Sequence, residues 1–122
     1  MQPIFDKDGT TVAWLQDDTV RDSQGGTIGF VADEALYTLI GQFVCHVTGG
    51  FFRDRDGAAI AFVEPHGIGP LTPLTRLPPP PPAASLAPLR PLFPVPPLAP
   101  LPSLTWSRVG WHALFEGKAG KP

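Results

Sequence analysis

Apolar positions in the first half of the chain return every sixteen residues. Sliding the sequence by that step lines up Ile4, Val20, Leu36 and Phe52, then Val12, Ile28, Val44 and Ile60, then Leu15, Val31, Val47 and Val63. Trp14, Phe30, His46 and Phe62 form a fourth column, and Gly9, Gly25, Gly41 and Gly57 a fifth, all without a gap. A fixed period of this kind marks a chain built from one small unit used repeatedly. Each unit of residues 4–67 opens on a short apolar stretch, passes a turn signal such as Asp8-Gly9 or Asp56-Gly57, and enters a run of β-branched and aromatic residues. That order predicts a β-hairpin, with Asp-Gly supplying the positive φ angles of a tight two-residue turn. A second turn column at Asp17-Asp18, Asp33-Glu34 and Gly49-Gly50 reverses the chain again, which predicts eight short antiparallel strands.

A lone two-stranded ribbon is marginal in water, so the four hairpins must pack on one another. Alternation along the longer strand would send Val12 and Trp14 to one side and Ala13 and Leu15 to the other. The Ala13 column continues as Gly29, Cys45 and Ala61, all small. Small residues at one place in every unit put the closest approach of the hairpins there, around a pseudo-fourfold axis, with the large rings of the Trp14 column filling gaps between neighbours. The expected fold class is all-β, with four tandem sixteen-residue hairpins around that axis.

Proline and charge divide the molecule near His66. Only Pro3 and Pro65 precede that point, and fifteen of the seventeen prolines follow it. The first 66 residues carry four basic and ten acidic side chains, the remainder five basic and one acidic. Three segments are therefore expected: residues 1–66 as the repeat domain, 67–104 as a Pro/Leu-rich tail, and 105–122 as a Trp-containing docking segment. In the tail every leucine falls in one frame of three: Leu71, Leu74, Leu77, Leu86, Leu89, Leu92, Leu98, Leu101 and Leu104. Polyproline II has three residues per turn, so this frame is one side of such a helix. Chance would place nine leucines in one frame on the order of once in several thousand trials.

A straight tail of that kind would reach roughly 100 Å, far beyond a compact domain of this size. It must bend around its own domain, project into solvent or cross neighbouring subunits, and a leucine stripe disfavours projection from a lone monomer. Homo-oligomerisation through the tail is the expectation. Ser107 caps a predicted short helix running to Glu116 and ended by Gly117, with Trp111, Leu114 and Phe115 on one face. Trp106, Trp111 and Phe115 are the aromatic candidates for docking on a β surface or another subunit, and residues 118–122 should be loose.

The repeated pattern apolar-x-Asp-x-x-Gly-x-x-Val-Ala-aromatic-apolar, four times over and followed by a Pro-rich tail with spaced tryptophans, resembles the bacterial proteins described as four-fold β-flower domains. The third unit departs most, with Thr38, Ile40 and His46 at its marked positions. The resemblance implies the fold and brings no biochemical activity with it.

Chemistry is sparse. Cys45 and His46 are adjacent in a predicted strand and point to opposite faces, so they cannot form a nucleophile and its base unaided. Cys45 is the single cysteine, which precludes an intrachain disulfide and fits a reducing compartment. His66 and His112 have no visible partner. Asp6, Asp8, Asp54 and Asp56 suit turns better than calcium, because the bidentate glutamate of a calcium loop is missing. Zinc spacings, phosphate loops and nucleophile elbows are absent from the sequence, and no catalytic, metal or cofactor residue is assigned. The acidic first half argues against nucleic acid, and prolines throughout residues 86–104 argue against a membrane span. No export signal opens the chain, so a cytoplasmic location is the default expectation. Arg76, Pro79 and Pro82 fit Arg-x-x-Pro-x-x-Pro, a possible ligand for an aromatic-groove partner at residues 76–82. A structural or interaction module is expected. An enzyme or ligand site at the pseudo-fourfold axis is the alternative, and would require converging titratable groups there.

Overall fold

The computed structural model describes residues 1–115; the expected helix end at Gly117 and the loose terminus lie outside the described residues. Eight strands follow one another as β1 (Gln2–Phe5), β2 (Thr11–Gln16), β3 (Thr19–Arg21), β4 (Thr27–Ala32), β5 (Ala35–Tyr37), β6 (Phe43–Thr48), β7 (Phe51–Arg53) and β8 (Ala59–Phe62). Each pairs antiparallel with its neighbours, and β1 meets β8 through Phe5 and Phe62, so the sheet closes into a barrel. Closure leaves no exposed sheet edge, and eight strands make an interior that side chains alone can fill.

The sixteen-residue unit is written in the register. Ladders within a unit (β1–β2, β3–β4, β5–β6, β7–β8) each slip by one residue, at Ile4/Phe5, Val20/Arg21, Leu36/Tyr37 and Phe52/Arg53. The ladders between units carry no slip. The residue skipped on the longer strand is Val12, Ile28, Val44 or Ile60, so that column is a β-bulge. This corrects the strict alternation expected from the sequence. Val44 with Cys45, and Ile60 with Ala61, sit together in the interior cluster, and Val12 and Ile28 pack against it beside Ala13 and Gly29.

The tight turns also exchange places with the sequence expectation. Two-residue turns occur between units, where Asp17, Asp33, Glu34, Gly49 and Gly50 take positive φ. Inside each unit the loop is wider. Asp6 Oδ1 accepts from the amides of Asp8 and Thr10, Asp22 Oδ1 from Gln24 and Gly26, and Asp54 Oδ1 from Asp56 and Ala58. Thr38 Oγ1 replaces the carboxylate in the third unit and accepts from Gln42 N. The aspartate that organises the loop is thus the one before the Asp-Gly pair.

Ile4, Val20, Leu36 and Phe52 fill the centre. The Trp14 column points outward, yet Trp14, Phe30, His46 and Phe62 are all buried. A barrel wall with large rings on its outside needs a cover, and residues 67–105 supply it. That segment contains neither helix nor strand.

Candidate interaction surface

The covering segment meets the barrel once per unit. Arg76 N donates to Gly9 O at 2.9 Å, Ser85 N to Gly25 O at 3.1 Å, and Ser103 N to Gly57 O at 3.0 Å. Nine residues separate one unit's contact from the next, so the donor opposite the third unit would be residue 94, a proline without an N–H. There the barrel donates instead, from Tyr37 Oη to Pro94 O at 2.7 Å. The carbonyls of Leu74, Ala83, Leu92 and Leu101 lie against Gly9, Gly25, Gly41 and Gly57, where a β-carbon would meet each of them. The glycine column therefore serves twice, by its positive φ in the loop and by admitting a second backbone.

Arg21, Tyr37 and Arg53 share one column and all reach the strap. Arg21 Nη1 donates to Gly25 O and Ser85 O, each at 2.8 Å. Arg53 Nη1 donates to Gly57 O at 2.7 Å and Ser103 O at 2.8 Å, and Nη2 to Ile68 O at 3.3 Å. Burial lowers the Arg53 pKa from its ordinary value, with the charge of Asp54 acting in the other direction. Its Nε, also buried, lacks a hydrogen-bond partner. Burial raises the Tyr37 pKa, and the charge of Asp33 adds to the rise. Phe93 stacks on Tyr37 with centroids 4.7 Å apart, and the Arg90 guanidinium lies over Phe30 and Phe93 while donating to Val31 O.

The two ends of the strap meet. Trp106 Nε1 donates to Leu71 O at 3.1 Å, Arg53 touches both Ile68 and Ser103, and residues 105–107 bridge to Ala59 in parallel. The chain thus encircles its own barrel, the first of the three paths open to the tail. It then turns in at one end, where Trp111 and Leu114 join the interior cluster and Trp111 meets Phe52 edge-on at 5.2 Å. The predicted helix from Ser107 is corrected to a single 3-10 turn, His112–Phe115. Ser107 caps no helix, because its hydroxyl is bonded to Asp54 Oδ2 and accepts from Val109 N, and Gly110 follows before any turn begins.

The leucine candidates stand together on the far side of the strap. Leu71, Leu74, Leu77, Leu86, Leu89, Leu92, Leu98 and Leu101 are 89–98% exposed, and Leu104 is 67% exposed. Ile68 and Val95 continue the row. Trp111 is buried, and Trp106 and Phe115 are half-buried. What the sequence reading missed is the inner side: Arg21, Tyr37 and Arg53, and Pro73, Pro82, Pro91 and Pro100, which are all half-buried. Sliding the tail by nine would have aligned those four prolines.

The remaining candidates disperse. Cys45 joins the core while His46 turns outward against Phe43. His66 packs on Phe51 and Phe62, and its Nε2 pairs with Thr72 Oγ1. Among the described residues no three His, Cys, Asp or Glu side chains are grouped to hold a metal ion, and no helix is long and apolar enough to cross a membrane. A cleft of about 550 Å³ beside the inserted turn is lined by Asp8, Ser23, Trp106, Arg108 and Trp111, among others.

A closed antiparallel barrel with a sixteen-residue register and a strap in step with it defines a small repeat-built β protein. The chain belongs to the 4-fold beta flower protein family, whose model matches residues 2–115, barrel, strap and inserted turn together. Searches of curated proteins and of solved structures gave no match.

Proposed function

We propose that this protein is a non-enzymatic interaction module that self-associates through the leucine side of a polyproline II strap. The observation that carries the proposal is the near-complete exposure of eight leucines on a strap whose other side is spent on its own barrel. A continuous aliphatic row of this length is unusual on a monomer and is best accounted for by burial against other copies. The three-residue frame and the nine-residue contact period agree with polyproline II, since nine residues are three of its turns. Four hairpin units around a pseudo-fourfold axis agree with the repeated bulges. Against an enzyme site on that axis stand Trp111 and Leu114, which fill one end of it with apolar side chains.

The test is absolute mass by light scattering, for the full chain and for a variant with Leu74, Leu92 and Leu101 replaced by Gln. An oligomer that falls to a monomer in the variant supports the proposal. A monomeric parent chain at every accessible concentration removes it. A second reading, a ligand for an aromatic-groove partner, is favoured by the exposure of Arg76, Leu77 and residues 79–81.

A further inference from the structure

We propose that the outer wall of the barrel is a receptor for proline-rich segments, with four successive subsites of nine residues each. Its present occupant is the chain's own strap, and it would accept the same strap from a second copy. The inference concerns the inward side of the strap and does not depend on the leucine row.

The subsites draw on the same parts, complete in the second and fourth; the first has no side-chain donor and the third receives no N–H. A glycine without a side chain lets a second backbone lie against the wall, at Gly9, Gly25, Gly41 or Gly57. In three subsites the carbonyl of that glycine accepts an N–H from the visiting segment. In three, a donor from the neighbouring strand takes the carbonyl of the residue aligned with that N–H: Arg21 for Ser85, Tyr37 for Pro94 and Arg53 for Ser103. Two of the clamped residues, Ser85 and Ser103, are thus held by both of their backbone polar groups. A helical segment has those groups engaged internally. A polyproline II segment has no internal hydrogen bonds and leaves its carbonyls and its few N–H groups free, so it suits a wall that offers a glycine carbonyl in three units and a side-chain donor in three.

The parts also discriminate. Subsites two and four hold an arginine and receive serine, and the third holds a tyrosine and receives proline, so the strap has one preferred phase. Most hydrogen bonds from the visiting segment are through its backbone, with Phe93 and Trp106 among the side chains seated on aromatic rings. A second copy carries the identical segment, and exchange of straps would join two barrels. In one chain the link at residues 67–69 keeps the local concentration of strap on the order of millimolar, which favours self-occupancy in dilute solution.

The test uses the full chain with a protease site inserted after Gly67, where Gly67 and Ile68 are exposed. It is run in the Leu74, Leu92 and Leu101 to Gln background, so that association through the leucine row cannot contribute. After folding and cleavage, a fluorescent peptide of residues 68–115 is added and its polarisation followed. The cut protein is expected to take up the peptide at least a hundred-fold more effectively than the uncut protein. A peptide with one residue inserted after Pro80 and another after Pro97, out of nine-residue phase, should lose most of that binding. Equal binding by the out-of-phase peptide overturns the proposal, as does a cut protein that neither exchanges its strap nor rebinds it.

Discussion

Tyr37 is the chain's one tyrosine, so its titration can be followed alone by ultraviolet absorbance. Its hydroxyl must be protonated to donate to Pro94 O, and burial followed by Asp33 raises its pKa. A pKa higher in the folded state than in the unfolded state adds stability that is complete below the unfolded value of about 10. That stability is lost as pH rises through the folded value. The expected result is a titration midpoint above 10 that coincides with loss of structure, and a Tyr37→Phe protein in which this alkaline dependence disappears. Gly25 and Gly49 offer a second contrast. Both have positive φ, but a β-carbon at Gly49 meets nothing within 4 Å, whereas at Gly25 it runs into Ala83 O. Gly49→Ala should cost about 1–2 kcal/mol for the left-handed backbone. Gly25→Ala should cost more, because the strap must also give up its bonds to Gly25 O, each worth about 1 kcal/mol. Urea denaturation of the pair measures the difference.

Among elements, the inserted turn at residues 111–115 fills the interior from one end. Trp111→Ala removes a buried ring against Phe52, and a loss of about 3–5 kcal/mol is expected by thermal or urea unfolding. The strap offers a finer probe. Pro94→Ala restores an N–H opposite Gly41, and its amide should be protected from hydrogen exchange as those of Arg76, Ser85 and Ser103 are expected to be. An unprotected amide there would show that the third unit holds the strap without a bond to the Gly41 carbonyl. Much of this level was legible in the sequence. The columns at Ile4, Gly9 and Trp14 gave the strands, and the Leu frame gave one face of the tail. The bulge was not read, although its signal is the pair of successive apolar residues Val12-Ala13, Ile28 before Gly29, Val44-Cys45 and Ile60-Ala61. The nine-residue period was hidden because nine is a multiple of three, so the leucine frame absorbed it. Arg21 and Arg53 gave no signal by type, since a buried arginine that donates to carbonyls and uncharged side chains looks in sequence like any surface cation.

For the whole molecule, the strap accounts for the burial of Phe30, Tyr37, Phe51 and Phe62, all rings on or near the outer wall. A chain stopped at His66 would expose them and leave Arg53 without its bonds to Ser103 and Ile68. Such a fragment is expected to be aggregation-prone and to bind a hydrophobic dye, while the full chain does not unfold in the same buffer. A compact, dye-silent fragment would mean that the barrel's own ladders suffice.

The step of sixteen on the wall and nine on the strap also restricts how the gene can change in length. On the proposed polyproline II strap, one codon gained would rotate every later residue by a third of a turn and send leucines toward the wall and prolines toward water. Three codons would keep the faces but miss the glycines. Nine would restore both, but only beside a barrel that had gained sixteen residues of its own, so the two halves can lengthen safely only together.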